Sequence, residues 1–225
     1  MNLRVIYNIC LVRLHIRKVL PTDAVRRVRV NECGESLIAP QADDFVILGS
    51  EIPVCGRESV IAKLRDADRY LQQYGCRIGV FEVYRDMETQ RRRRDAEYNR
   101  IKQEHPEYGE DDVLRMLNAR VSNITQNDVG GHQTGGAVDC TLCFADGRQQ
   151  DMGAGYLEFG AKTKTACRNL TDTQRRNRKL LCKAMKRVGF VNYPNEWWHF
   201  SYGDKMWAAY SRRSVAIYGP AALPK

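Results

Sequence analysis

The segment that most limits what this chain can become is AVDCTLCF, residues 137–144, an apolar run that carries a single carboxylate, Asp139. It reads as a strand, with Asp139, Thr141 and Cys143 on one face and Cys140, Leu142 and Phe144 on the other. Burying an unpaired carboxylate is expensive, so Asp139 needs a cation or hydrogen-bond donors wherever this strand goes. A second run, CRIGVFEVY at 76–84, is apolar at most positions and reads as a central strand buried on both faces.

Helical periodicity surrounds these runs. Val60, Ile61, Leu64, Ala67 and Leu71 recur at helical spacing from about Arg57, with Gly75 as the stop. Asp86 is placed to cap a polar helix that runs to about His105, before Pro106. EDDVLRMLNARV is a shorter helix. Asp172 is placed to cap another, with Leu180, Leu181, Ala184, Met185 and Val188 on its apolar face and Gly189 at its end. ADGRQQDMG reads as a hairpin connection on its Asp-Gly pair. FVNY is a short strand, and WWHFSY resumes extended structure after Pro194. Helices come first and strands later, which predicts an α+β fold: a small, mostly antiparallel sheet packed with helices. Residues 1–50 are mixed in character and are expected to pack on the remaining core as an N-terminal segment.

Charge and cysteine usage exclude less than they suggest. The formal net charge of +9 raises nucleic acid as a partner, and the most basic run is Arg91–Arg94. Four consecutive helical residues point around most of the circumference, so the run is not one phosphate-binding stripe, and no nucleic acid is expected. Eight cysteines in 225 residues are not the dense framework of a small secreted domain, so reduced, mostly buried thiols are expected. The Cys140 and Cys143 thiols point apart on a strand, which argues against chelation by that pair. No apolar run is long enough to span a membrane. At the N-terminus, Asn8 breaks the apolar stretch Val5 to Val12, and Arg13, His15, Arg17 and Lys18 follow without a small-x-small cleavage site. That pattern predicts a cytoplasmic protein, with the periplasm or cell envelope as the alternative.

Of the four histidines, His15 and His105 have no evident partner. His132 lies in a glycine-rich turn, GGHQTGGAVD, that ends on Asp139, and His199 follows Glu196 in NEWWHF. A catalytic zinc takes about three protein ligands and keeps one position open, and His132, Asp139 and His199 would supply that set. Glu196 would remain as general base. Taken alone, His132 reads equally well as a polar loop residue and Trp197–Trp198 as aromatic core. On a regular strand Glu196 and His199 would face opposite sides, so both reach one site only across a turn, twist or bulge.

HQTGGAVD followed by EWWH resembles the paired signatures of the zinc D-alanyl-D-alanine dipeptidases, the VanX-like branch of the M15 metallopeptidases. The family pattern is S-x-H-x-x-G-x-A-x-D, then E-x-x-H, and the resemblance extends from VFEVYRD to EWWHFSYGD. It implies a peptidase domain over 51–225 and one Zn2+ per chain at the sheet, held by His132, Asp139 and His199. It further implies Glu196 as catalytic base and Arg85, in VYRD, as the group that stabilises the oxyanion. Glu158, Trp198 and Tyr84 are then expected at the substrate, a small D-amino-acid dipeptide or a muropeptide.

The departures from the pattern open a second reading. Gly130 stands where the family has serine, and Leu157 stands where an aspartate holds the substrate's ammonium group. Either Glu158 replaces that aspartate, or a free N-terminus is not required, which favours a D,D- or L,D-carboxypeptidase trimming stem peptides. A non-catalytic, metal-stabilised or nucleic-acid-binding module is the alternative from another class.

Overall fold

The computed structural model describes residues 19–48, 53–125 and 129–223. Five of the strands make one mixed sheet, in the order β3 (Val46–Ile47), β5 (Cys76–Glu82), β6 (Ala137–Phe144), β8 (His199–Ser201), β7 (Val191–Asn192). Only the β3–β5 pair is parallel, so the sheet is mostly antiparallel, as expected. The two apolar runs become its centre: every residue of β5 but Arg77 is buried, and every residue of β6 but Phe144. The strands do not all come late in the chain, because β3 and three of the four strands in the small pairs described below precede the helix at 58–72.

Helix α2 (Glu58–Gln72) packs on β5 with the predicted stripe Val60, Ile61, Leu64, Ala67 and Leu71 fully buried, and Gly75 follows with φ of 67°. Asp68 is buried on the same helix because Arg77 Nε and the Ile78 N–H donate to it from the start of β5. Helix α3 (Met87–Glu104) starts at Asp86, whose carboxylate accepts the Thr89 N–H, and pairs with α4 (Glu110–Arg120) around Ile101, Val113 and Leu117. The arginine run on α3 splays as predicted: Arg93 turns in to Glu82, and Arg94 to the Val121 carbonyl. Helix α5 (Asp172–Arg187) begins one residue earlier than expected. Thr171, not Asp172, is the cap, in a reciprocal box with Gln174. A threonine hydroxyl with Gln three residues on satisfies two orphan N–H groups, which Asp172 would not.

The first and last described segments fold back onto this core. Before β3 lie α1 (Thr22–Arg26), β1 (Arg29–Val30) and β2 (Leu37–Ile38). Strand β1 pairs in parallel with β9 (Val215–Ala216), and β2 pairs with β4 (Gly56–Arg57). Buried Arg57 ties them together: it donates to Glu32, to the Glu35 carbonyl, to the Thr134 carbonyl (2.7 Å) and to the Gly219 carbonyl (3.1 Å). No helix among the described residues is long and apolar enough to cross a membrane, and all seven cysteines described are free thiols.

The long connection from β6 to α5 carries no regular element past its hairpin, and it is held by Arg178 of α5. That guanidinium, 3% exposed, donates to the carbonyls of Met152, Lys164 and Lys162 at 2.7 Å each. It also lies 5.5 Å from the Trp197 ring centroid. Lysine has no planar fork to satisfy three diverging acceptors. Arg178→Lys is expected to lower stability by about 3 kcal/mol, since orphaned buried carbonyls cost about 1–3 kcal/mol each, measured as the shift in a urea unfolding midpoint.

Candidate metal centre

Strand register brings the chemistry together. Asp139 pairs directly with Glu82 of β5 on one side and with His199 of β8 on the other. The Glu82 pairing exists because β5 bulges: the register shifts between Val80 and Glu82, so Phe81 and Glu82 together span the place of one residue. Without that bulge Phe81 would face Asp139. His132 arrives from the 3₁₀ turn His132–Thr134, which Gly135 closes in a left-handed conformation (φ 70°).

The ligand atoms of His132, Asp139 and His199 all lie within 4.8 Å of one another, and all three residues are buried. Asp139 Oδ1 is 3.4 Å from His132 Nε2 and 2.9 Å from His199 Nδ1. Tetrahedral zinc with bonds of about 2.0–2.1 Å separates neighbouring ligand atoms by about 3.3 Å, so this donor set fits the ion. His132 Nδ1 is 2.8 Å from the Val83 carbonyl, which fixes that nitrogen as the donor and leaves Nε2 for a metal. Burial by itself would raise the Asp139 carboxyl, but the two imidazoles overcome it and hold the group well below the usual range. Burial lowers His199 while its bond to Asp139 raises it, and the bond prevails.

Glu196 and His199 converge as a single site requires. The segment between β7 and β8 is a turn, not a strand: the Glu196 N–H donates to the Tyr193 carbonyl (3.0 Å) and the His199 N–H to the Glu196 carbonyl (3.4 Å). Both side chains line a cleft of about 990 Å³, together with Arg85, His132, Asp139 and Trp198. Burial pushes the Glu196 carboxyl up to about 7; Asp139 adds to the rise, while His199, Arg85 and a bond from the Trp198 side chain oppose it.

Arg85 follows β5 and is fixed by Glu82, which accepts from Nε (2.9 Å) and Nη2, while Nη1 donates to Gln90 Oε1 (2.6 Å). Three of its five N–H groups are committed, which leaves two on a buried guanidinium at the cleft. Arg93 also donates to Glu82, at 2.8 Å, and burial's upward pull on Glu82 is more than offset by the arginines.

Two expected substrate contacts lie elsewhere. Tyr84 packs with Leu37 and Cys55, and its hydroxyl donates to the Ala221 carbonyl away from the cleft. Glu158 is exposed, and its carboxylate is turned back onto the Gly155 N–H at 2.7 Å. Leu157 borders the cleft instead, 41% exposed, in a left-handed conformation (φ 59°). Both tryptophans are buried, Trp197 on Arg178 and Trp198 at the cleft wall. Glu82, Gln90, Tyr156 and Asp204 also belong to the site. Glu82 carried a readable signal, a carboxylate in a buried run like Asp139, whereas Tyr156 sits in a loop with none.

Gly131 has its own reason. A Cβ there would run into Asp204 Oδ2 and come within 2.8 Å of Ala137 Cβ. Asp204 is 1% exposed, caps α6 (Lys205–Tyr210) through the Trp207 N–H, and also lines the cleft. Gly131→Ala should destabilise by about 1–3 kcal/mol, read as a lower melting temperature, and Asp204→Ala in the same chain should recover part of the loss.

A sequence model of the M15 peptidase family, described as D-ala-D-ala dipeptidase, matches residues 50–217. The chain belongs to this metallopeptidase family. Among its relatives, the D-alanyl-D-alanine dipeptidase of Synechocystis sp. (strain PCC 6803) is 39% identical over 106 residues, covering 39% of this chain and 42% of that protein. That of Escherichia coli (strain K12) is 39% identical over 69 residues, covering 31% and 36%. The match thus spans about two fifths of the length of these curated relatives. Among solved structures, VanYB in complex with D-alanine-D-alanine has a TM-score of 0.49 at 18% identity, covering 83% of this chain and 92% of that one. The LdcB LD-carboxypeptidase, a structure of peptidoglycan recognition, has a TM-score of 0.46 at 15% identity, covering 82% and 76%. The match to a family of D-ala-D-ala dipeptidases overturns the cytoplasmic location expected above. Residues 5–12, on which the cytoplasmic reading stood, lie outside the described residues.

Proposed function

We propose that this protein is a zinc-dependent peptidase that hydrolyses D-Ala-D-Ala-type peptides. The observation that carries the reading is the convergence of His132, Asp139 and His199 on a cleft whose wall also holds Glu196 and Arg85. In this reading residues 51–225 form the peptidase domain and residues 1–50 an N-terminal segment that packs on it.

His132, Asp139 and His199 would hold the zinc, which when bound would supply Lewis acidity to an attacking water and to the scissile carbonyl. Glu196 takes the proton from that water and returns it to the departing amine. A carboxyl near 7 suits a group that must accept and release a proton at neutral pH. Arg85 turns its two remaining N–H groups to the oxyanion as the carbonyl becomes tetrahedral, and Glu82 keeps the guanidinium from swinging away. Trp198 excludes bulk water from one side.

Leu157 favours a second reading within the same chemistry. An apolar side chain at the cleft edge cannot balance a free ammonium group, whereas it suits the chain of a longer peptide. In the carboxypeptidase reading the substrate extends past Leu157 and loses its terminal D-residue.

Glu196→Ala is expected to retain zinc, measured by metal analysis, while kcat falls by about 10²–10⁴-fold. Arg85→Ala is expected to cost about 10²–10³-fold in kcat with zinc retained. Loss of zinc from either variant, or retention of activity, would contradict the roles given. Turnover of free D-Ala-D-Ala against an N-acylated, longer peptide ending in D-Ala-D-Ala separates the two readings. A strict dipeptidase cleaves only the former.

A further inference from the structure

The two oxygens of Asp139 have different surroundings. Oδ1 faces the imidazoles of His132 and His199, at 3.4 and 2.9 Å. Oδ2 accepts a hydrogen bond from the Tyr156 hydroxyl at 3.0 Å and lies 3.9 Å from Arg85 Nη2. We infer that Tyr156 is a positioning residue for the metal, holding Asp139 as a ligand through one oxygen only. This rests on the metal-site reading given above.

The loop around Tyr156 is shaped for that task. Tyr156 and Leu157 are neighbours with opposite duties. The left-handed backbone at Leu157 leaves its side chain at the cleft edge, while the Tyr156 ring lies flat on Phe81 (centroids 4.2 Å apart, planes 4° apart). Trp198 meets the same ring edge-on at 5.9 Å. Two rings therefore aim the hydroxyl into the carboxylates. It has one proton and two acceptors in reach, Asp139 Oδ2 at 3.0 Å and Glu82 Oε2 at 3.4 Å. Glu82 already receives Arg85 and Arg93, so Asp139 is both the nearer acceptor and the one in greater need.

The consequence is chemical. The terminal torsion of an aspartate is broad, so an untethered carboxylate can turn both oxygens to a cation. A second oxygen would fill the position that a catalytic zinc keeps open for water and substrate. Tyr156 removes that option by occupying Oδ2, and it does so from the loop that also sets Leu157 at the cleft edge. Orientation of the ligand and shape of the substrate site are thus coupled through adjacent residues.

The test uses zinc-free full-length protein and competition for zinc with a chromophoric chelator, with cobalt(II) absorption as a second readout of coordination. Tyr156→Phe keeps the ring stack and removes the donor. Its zinc affinity should fall by about 10–100-fold, and its cobalt visible bands should weaken as a second carboxylate oxygen raises the coordination number. Glu158→Ala disturbs the same loop by removing the acceptor of the Gly155 N–H, but leaves the hydroxyl and its supporting rings intact, so its zinc affinity should stay within about threefold of wild type. Wild-type zinc affinity and an unchanged cobalt spectrum in Tyr156→Phe would overturn the inference. So would an equal loss in Glu158→Ala. A wild-type protein that takes up no zinc would instead overturn the metal reading itself.

Discussion

A carboxylate that cannot reach water organises this protein. Asp139 sits in the middle strand of the sheet, 2% exposed, with both flanking strands in register against it. A lone charge there would cost several kcal/mol, so the surrounding residues are chosen to meet it. Two imidazoles face one oxygen, and a tyrosine hydroxyl and an arginine face the other. The contacts that bury Asp139 are therefore the same ones that would hold it for a metal.

Around that charge runs a buried chain of alternating sign. Arg85 is held by Glu82, Glu82 is shared with Arg93, and Gln90 fills the remaining side of Arg85. Such a network is costly when broken and rigid when complete. Rigidity suits the role proposed for Arg85, because donors that are already oriented do not have to reorganise as charge develops. The bulge at Phe81 makes the network possible by turning Glu82 toward Asp139 and leaving Phe81 to support Tyr156.

Much of this was legible in the sequence, for reasons that can be named. Apolar periodicity located α2, α5 and the two central strands because burial, not propensity, decides those elements. The carboxylate in an apolar strand, and a Glu and His that must converge across a turn at Pro194, point to the site from the sequence. Other features were hidden because they depend on contacts distant in sequence. The Tyr156 hydroxyl meets Asp139 only after a long irregular loop is folded onto Arg178. Glu158 and Tyr84 were expected from the family resemblance, which says nothing about side-chain direction, and both turn away from the cleft. Thr171 displaced Asp172 as the α5 cap because the reciprocal bond with Gln174 cannot be seen from the cap residue alone.

The cleft edge has constraints of its own. Gly131 is small because Asp204 lies against it, and Leu157 presents an apolar side chain from a backbone conformation that non-glycine residues rarely adopt. The metal centre and the edge are joined through Tyr156, one residue away. Anomalous scattering at the zinc absorption edge, from crystals grown with zinc, tests the central claim most directly. The predicted result is one strong peak per chain within bonding distance of His132 Nε2, His199 Nδ1 and a single oxygen of Asp139. A peak elsewhere, none at all, or a site that excludes Asp139 would contradict it.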